Sequence, residues 1–257
     1  MTNRALLGLL LAAIATSIMA APLPVQAAGA IDGWKLQQWL RIGGDVELCI
    51  SKSAMRMTIS KSKLVLLASA PWKDAYIYCK NTGRIYKTPF SKIASPYLGA
   101  MALWDGGVTT QVKVIPAKQE EMVGIKCQVL SEPPGQQKRL TELFRKGDLT
   151  GRAPGKLKYR VTDQLKTPPQ IGAALARFYA LPETQSVPLE FNCTTVSGDK
   201  NEELKTYACK PTKFSEADFA LPKGLKEVND ARLVLVPDSS EEGNGIDLMM
   251  MSRSGVK

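Results

Sequence analysis

Short alternations of apolar and polar residues in the first third of the chain constrain its fold more than any other feature. Apolar side chains occupy every second position in segments 46–50 and 55–59, and segment 64–70 is apolar almost throughout. Segment 74–79 then alternates tyrosines with smaller apolar side chains, and an Asn-Thr-Gly turn at 81–83 reverses the chain. A period of two with turn residues between the segments is typical of antiparallel strands. We therefore expect a β-meander here.

The hairpin around that turn carries two distinct sets of side chains. Successive side chains of a strand point to opposite faces of the sheet. Tyr76 and Tyr78 are therefore expected on one face, and Ala75, Ile77 and Cys79 on the other. The pattern leaves open which face is the inner one.

Three other segments have helical spacing. Trp34, Leu36, Trp39 and Leu40 in segment 31–44 are spaced as on a helix that ends at a Gly-Gly pair,. Segment 91–104 has a similar apolar face. Segment 170–181 has Ile171, Leu175 and Phe178 on one side, and Pro168 and Pro169 directly precede it, where proline suits the first turn of a helix,. We predict a helix in each.

The second half of the chain alternates between strands and one polar excursion. Segment 132–155 is punctuated by proline and glycine and predicts a surface loop with a short helix,. Strands are predicted at the segments with alternating apolar residues, which are 107–117, 121–131, 156–165, 187–196 and 203–210,.

The N-terminus has the order of parts found in secretory signal peptides. Arg4 precedes a long uncharged apolar stretch, and small residues follow at a point where a peptidase could cut after Ala27 or Ala28,. We predict a signal peptide at 1–27, one soluble domain at 28–236 in the periplasm or cell envelope, and a flexible tail at 237–257. An uncleaved N-terminal anchor is the alternative reading.

The five cysteines favour disulfides in an exported protein,. Segments 187–196 and 203–210 flank a polar turn, which predicts a hairpin centred near residue 201. Cys193 and Cys209 would then lie opposite each other, at a distance that suits a disulfide. The pairing of the other three cysteines stays open. A zinc site is not expected, because the chain has no histidine and no C-x-x-C motif,.

Catalytic machinery is not visible in the sequence. The lack of histidine excludes Cys–His and Ser–His nucleophile pairs,. Ser60 and Lys63 match an S-x-x-K pattern, but the accompanying S-D-N and K-T-G elements are missing and the match falls in a turn,. We expect a non-enzymatic protein that needs no cofactor.

A resemblance to a known family emerges from the order of the segments. A Gly-Ile-Lys-Cys strand at 124–127, the strand-and-helix segment 158–182, a strand at 187–195 and a closing F-x-L-P-x-G motif at 219–224 follow one another. In this order the chain resembles the LolA/LolB-like superfamily of exported proteins, in particular its single-domain members. The motifs are short, and the resemblance extends over most of the chain after residue 28.

The resemblance implies a fold and a ligand. The fold would be mainly β with a few helices, as a curved antiparallel sheet, an open half-barrel, with helices covering its concave face. The hollow would hold an apolar ligand such as a lipid or the acyl chains of a lipoprotein. The candidate lining residues are Met55, Met57, Ile59, Tyr76 and Tyr78, although a methionine stripe at strand spacing also suits a plain core,.

One candidate lid contact follows from the same resemblance. Transport members of the superfamily carry an arginine in a proline-led segment that helps to hold the lid. Arg56 is the matching residue here, and no proline precedes it.

A basic segment offers a second functional hypothesis. The chain carries a formal net charge of +10, which favours anionic surfaces. Basic residues concentrate in segment 138–160, which is either a solvated loop or a contact for anionic lipid or wall polymer. Nucleic acid is not expected, because aromatic residues do not alternate with the basic ones. The candidate contacts are Lys138, Arg139, Arg145, Lys146, Arg152 and Lys156.

Overall fold

The computed structural model describes residues 30–97, 109–148 and 151–237. The predicted signal peptide lies outside these residues, as does all of the predicted tail except its first residue. Among the described residues, twelve strands form a single sheet. They are β1 (Ile31–Leu40), β2 (Gly44–Ser51), β3 (Ala54–Ile59), β4 (Leu64–Ser69), β5 (Asp74–Cys79), β6 (Arg84–Pro89), β7 (Ile115–Met122), β8 (Ile125–Ser131), β9 (Pro154–Thr162), β10 (Val187–Thr195), β11 (Lys200–Phe214) and β12 (Lys226–Glu227).

The sheet is open and almost entirely antiparallel. Its spatial order is β12-β6-β5-β4-β3-β2-β1-β11-β10-β9-β8-β7, so β12 and β7 are the two edges. Of the pairings between described strands, only the short one of β12 with β6 is parallel. The five strands β2 to β6 pair in sequence order. The predicted meander is confirmed, and so is the predicted fold class of a mainly β chain with an open antiparallel sheet.

Two helices accompany the sheet in the described residues. Helix α1 (Gln136–Arg145) lies in the predicted polar excursion, and helix α2 (Pro169–Phe178) begins with a proline in its first turn, as predicted,. Helix α2 packs against β10. It buries Ile171, Leu175 and Phe178 in the main apolar cluster of the protein. We call the sheet face that contributes to this cluster the inner face, and the opposite one the outer face.

No helix of the described residues is long and apolar enough to cross a membrane.

The predicted N-terminal helix is wrong, because segment 31–40 is strand β1. Leu36 and Leu40 are buried on the inner face, but Gln38 lies between them and is also fully buried. Because a polar residue occupies an inner position, the apolar residues of β1 do not alternate regularly in the sequence. The half-buried Trp39 on the outer face adds an apolar residue at a position that fits helical spacing. The buried amide is tolerated because it has hydrogen-bond partners, described below.

The second predicted helix, 91–104, is not found where the structure describes the segment. A single 3₁₀ turn covers Phe90–Lys92, and residues 93–97 are not helical. The remainder of the segment lies outside the described residues. The strand predicted at 107–117 begins only at Ile115, after a 3₁₀ turn at Thr109–Gln111.

The predicted disulfide between Cys193 and Cys209 is also wrong. Cys193 is the register partner of Asn201, so the hairpin turn is centred near residue 197 and not near residue 201. Strand β11 is long, and Cys209 lies opposite Leu36 of β1 instead. Eight residues of strand separate Cys209 from Asn201, which is about 26 Å. None of the five cysteines forms a disulfide in the structure.

The chain that follows β11 wraps around one edge of the sheet, and we call it the edge cover. Phe219 and Leu225 pack against a small apolar cluster on the outer face. Strand β12 then pairs with β6, and Val234 is fully buried in the inner cluster. The F-x-L-P-x-G motif is therefore part of an edge cover that spans both faces.

Candidate functional site

Three of the predicted ligand-binding residues lie in a packed interior. Met55, Met57 and Ile59 are on the inner face of β3, and each has 0% of its surface exposed. They belong to the same apolar cluster as the buried residues of α2. The inner face at these positions is therefore occupied by the side chains of the protein itself.

The two tyrosines of the predicted site lie on the opposite face. Tyr78 is buried in the outer cluster with Val65, Leu67 and Ile85, and Tyr76 packs at its margin. Alternation along β5 was predicted correctly, since Ala75, Ile77 and Cys79 all contribute to the inner cluster. The structure does not bring the five candidate lining residues together.

Arg56 contacts the edge cover from the outer face. Its guanidinium donates a hydrogen bond of 2.7 Å to the backbone carbonyl of Asp218, in the 3₁₀ turn Glu216–Phe219. It also lies 3.4 Å from the carboxylate of Glu47. The arginine thus holds the segment that carries the closing motif, on the side of the sheet opposite to Met55 and Met57.

A groove, which we call the end groove, lies at one end of the inner face. It has a volume of about 440 Å³ and is formed by the beginning of β1, the end of β2, the end of β11 and the loop after β9. Trp34 and Leu165 line it, and both pack against the inner apolar cluster. Trp34 is in register with Ile50, and Ile50 with Met55. The end groove therefore continues the row of side chains that includes Met55.

Two backbone features shape the end groove. A Cβ atom on Gly33 would lie 2.3 Å from the carbonyl oxygen of Ile50, so only glycine allows the close approach of β1 and β2 at the rim,. Lys166 has a left-handed backbone conformation, with a φ of +51°. This conformation costs a residue with a side chain about 1 kcal/mol. It accompanies a turn in which the Lys166 amide donates to the Asp163 carbonyl, next to the buried Leu165.

The rim of the end groove is basic. Lys52, Lys166 and Lys213 line it and are exposed, and Asp32 is the one acidic residue among its described lining residues. Three ammonium groups against one carboxylate favour an anionic group at the mouth. An apolar floor with a basic rim suits a molecule that has an apolar body and an anionic end.

Hydrogen bonds fix α2 over the inner face. The hydroxyl of Tyr179, next to the end of α2, donates to the side-chain oxygen of Gln38 at 2.7 Å. The Gln38 amide nitrogen donates to the Thr206 hydroxyl at 2.9 Å and to the Pro188 carbonyl at 3.0 Å. Burial raises the pKa of Tyr179 far above its ordinary value. The network is neutral and fully buried, and it holds the helix against β1, β10 and β11.

An ion cluster lies on the outer face of β7, β9 and β10. The Arg160 guanidinium donates to Glu120 at 2.5 and 2.8 Å and also pairs with the carboxylate of Glu190. Lys118 and Lys158 lie 2.6 and 3.3 Å from the same Glu120 carboxylate. The Lys118 ammonium, and next the Arg160 guanidinium, lower the pKa of Glu120 from 4.5 to about 2.

This pKa shift predicts a loss of stability in acid. Because the pKa is lower in the folded chain, Glu120 contributes its full stabilisation above pH 4.5 and loses it as the pH falls towards about 2,. Urea unfolding from about pH 6 to about pH 2.5 should show a falling midpoint, with a smaller fall for Glu120→Gln. Glu121→Gln is the matched control, because Glu121 is exposed and forms no ion pair with a described residue. Equal falls for both variants would contradict the prediction.

The six candidate contacts of the basic segment are all exposed. Lys138, Arg139 and Arg145 are on α1, and Lys146 follows it directly. Helix α1 packs against β9, which carries Lys156. The structure thus places the basic residues on and beside one short helix.

Sequence reasoning missed the residues of the end groove. Trp34 has helical spacing in the sequence, and Leu165 and Pro211 come from segments far apart in the chain. The three lysines of the rim do not belong to the basic run at 138–160. A usable signal was Gly33, since a glycine inside a strand often marks the close approach of another backbone.

Comparisons with known proteins find similarity only among solved structures. No protein-family model and no curated protein matches the chain. An uncharacterized conserved protein from Thermus thermophilus is 12% identical, with a TM-score of 0.42 over 78% of this chain and 91% of that chain. A LolA superfamily protein from Nitrosomonas europaea is 9% identical, with a TM-score of 0.22 over 76% of this chain and 91% of that chain.

Proposed function

We propose that the protein is an exported, non-enzymatic binding protein for an amphiphile, a molecule with an apolar chain and an anionic end. The apolar chain would lie in the end groove, and the anionic end would meet the basic rim. The observation that carries the proposal is the continuity of Trp34 and Leu165 with the inner apolar cluster.

The size and floor of the end groove support an apolar ligand. Small-molecule sites commonly have volumes of about 300–1,000 Å³ and a mainly apolar lining. The end groove has about 440 Å³, with Trp34, Leu165 and Pro211 among its lining residues. A half-buried tryptophan in a groove, such as Trp34, offers a large apolar surface at little cost in conformational entropy,. The packed residues Met55 and Met57 would then lie beneath the ligand and not around it.

The rim supports an anionic end group. Lys52, Lys166 and Lys213 come from three separate parts of the chain and converge on one opening. Long lysine side chains can cover an apolar chain with their methylene groups while their ammonium groups contact a carboxylate or phosphate. Among the described lining residues only Asp32 opposes these lysines, which leaves an excess of positive charge at the opening.

The test is the binding of a fluorescent sixteen-carbon fatty acid to the chain that begins at residue 28. Trp34→Ala should weaken binding at least about thirtyfold, because a buried tryptophan contact contributes about 2 kcal/mol. Trp39→Ala is the matched control, since Trp39 is on the same strand but is half-buried on the outer face. An uncharged alcohol of the same chain length should bind about tenfold more weakly than the acid.

Two results would overturn the proposal. If Trp34→Ala and Trp39→Ala lower the affinity equally, the ligand does not occupy the end groove. If the wild-type chain binds no probe, and no amphiphile accompanies the protein in native mass spectrometry, the end groove is not a ligand site.

A further inference from the structure

A second groove, which we call the outer groove, lies on the outer face at the opposite end of β11. It has a volume of about 480 Å³ and is lined by residues of β9, β10 and β11. Two rows of side chains cross these strands in register. Lys158, Asn192 and Glu202 form one row, and Lys156, Thr194 and Lys200 form the other.

The first relevant property of the outer groove is its unused positive charge. Lys156 and Lys200 line it and form no ion pair with any described residue. Its carboxylate, Glu202, lies 3.2 Å from the ammonium of Lys205. The two lysines of one row are therefore not ion-paired with a described residue, and an anionic group is the ligand they favour,.

The second property is an unused hydrogen-bonding group. The side-chain oxygen of Asn192 is buried and accepts no hydrogen bond from a described residue. A buried polar atom without a partner costs about 1–3 kcal/mol, and a ligand that donates a hydrogen bond to it would recover part of that cost. Asn192 lines the outer groove beside the row of lysines. A ligand that uses both features would therefore carry a hydroxyl donor next to an anionic group.

From these two properties we infer that the outer groove binds an acidic oligosaccharide, with a sugar hydroxyl on Asn192 and a carboxylate between Lys156 and Lys200. The flat surface of a bilayer would reach the lysines but not the recessed amide. Single-stranded nucleic acid is disfavoured, because the outer groove offers no aromatic side chain for base stacking among its described lining residues,. The exposed basic residues of α1, which packs against β9, would add to the attraction,.

The test uses tetragalacturonate, an oligosaccharide with four carboxylates, and maltotetraose as its neutral counterpart. Wild-type chain should bind the first and not the second. Lys156→Gln with Lys200→Gln should weaken binding at least about tenfold, because both groups would contact the carboxylate. Arg145→Gln with Lys146→Gln removes the same charge from α1 and its end, and should weaken binding less than about threefold. All four side chains are exposed, so both double variants should unfold at the wild-type temperature.

A spectroscopic readout locates the sugar. The side-chain amide resonances of Asn192 should shift on addition of tetragalacturonate but not of maltotetraose, and Asn192→Ala should weaken binding about fivefold or more. Equal losses from the two double variants would mean that only diffuse charge is recognised. Binding to phosphatidylglycerol vesicles without binding of tetragalacturonate would assign the surface to a membrane. Either outcome overturns the inference.

Discussion

Met57→Glu should unfold the protein or cost it about 4 kcal/mol or more of unfolding free energy. Met57 has 0% of its surface exposed, and its register partners Leu48 and Leu66 are equally buried. A carboxylate at this position would have a buried apolar register partner on each side, so it would be either desolvated or protonated, and both are costly,. Urea unfolding followed by circular dichroism measures the loss.

Met57→Leu is the control for this prediction. The substitution nearly conserves volume and should cost less than about 1.5 kcal/mol. If Met57→Glu folds with a comparably small loss, the inner face admits water at β3. The ligand would then lie around Met57, as the family resemblance implies, and the end groove would be only its entrance.

The packed interior changes how the family resemblance should be used. From sequence, Met55, Met57 and Ile59 could be either a lining or a core, because burial gives both the same period of two. What separates the two readings is how closely α2 approaches the sheet, and this depends on contacts between segments more than 100 residues apart. The Tyr179–Gln38 hydrogen bond, for example, spans 141 residues. Local periodicity carries no information on such contacts.

The parts of the fold that sequence predicted are the local ones. The meander β2 to β6 and the proline-led helix α2 follow from period, turn residues and a first-turn proline. The wrong predictions arose where contacts between distant segments decide the structure. Gln38 is polar yet buried because Tyr179 and Thr206 satisfy it, so β1 lost its alternation. The β10–β11 register was misplaced because β11 is long enough to pair with both β10 and β1.

The sequence predicted less of the candidate sites than of the fold. Each groove collects residues from three or more segments, and only segment 156–158 of the outer groove belongs to a run of unusual composition, the basic run 138–160. Lys156 is the only residue of the outer groove among the candidate contacts of the basic segment. In both grooves the neighbours of the charged residues decide what can bind. In the end groove the neighbour is an apolar floor. In the outer groove it is the side-chain oxygen of Asn192, which has no hydrogen-bond partner among the described residues.

The close seating of α2 predicts an unusual effect for a glycine in a helix. Replacing a helical glycine by alanine normally stabilises a protein by about 1 kcal/mol. Gly172→Ala should instead destabilise this one by about 2–3 kcal/mol, the cost of overpacking against atoms that cannot move aside. The added Cβ would lie 2.1 Å from the carbonyl oxygen of Gln185 and 2.6 Å from that of Ser186. These are backbone atoms of the segment that leads into β10, so no side-chain rotation relieves the contact.

The neighbouring position supplies the control. Ala173 in the same helix is half-buried, and Ala173→Gly should cost about 1 kcal/mol, the ordinary helix propensity difference,. Two changes in opposite directions at adjacent positions should therefore both destabilise the protein, the first more than the second. If Gly172→Ala is as stable as the wild type in urea unfolding, α2 does not approach residues 185–186 this closely. The inner face could then open beneath the helix, and the binding site of the amphiphile would have to be sought there.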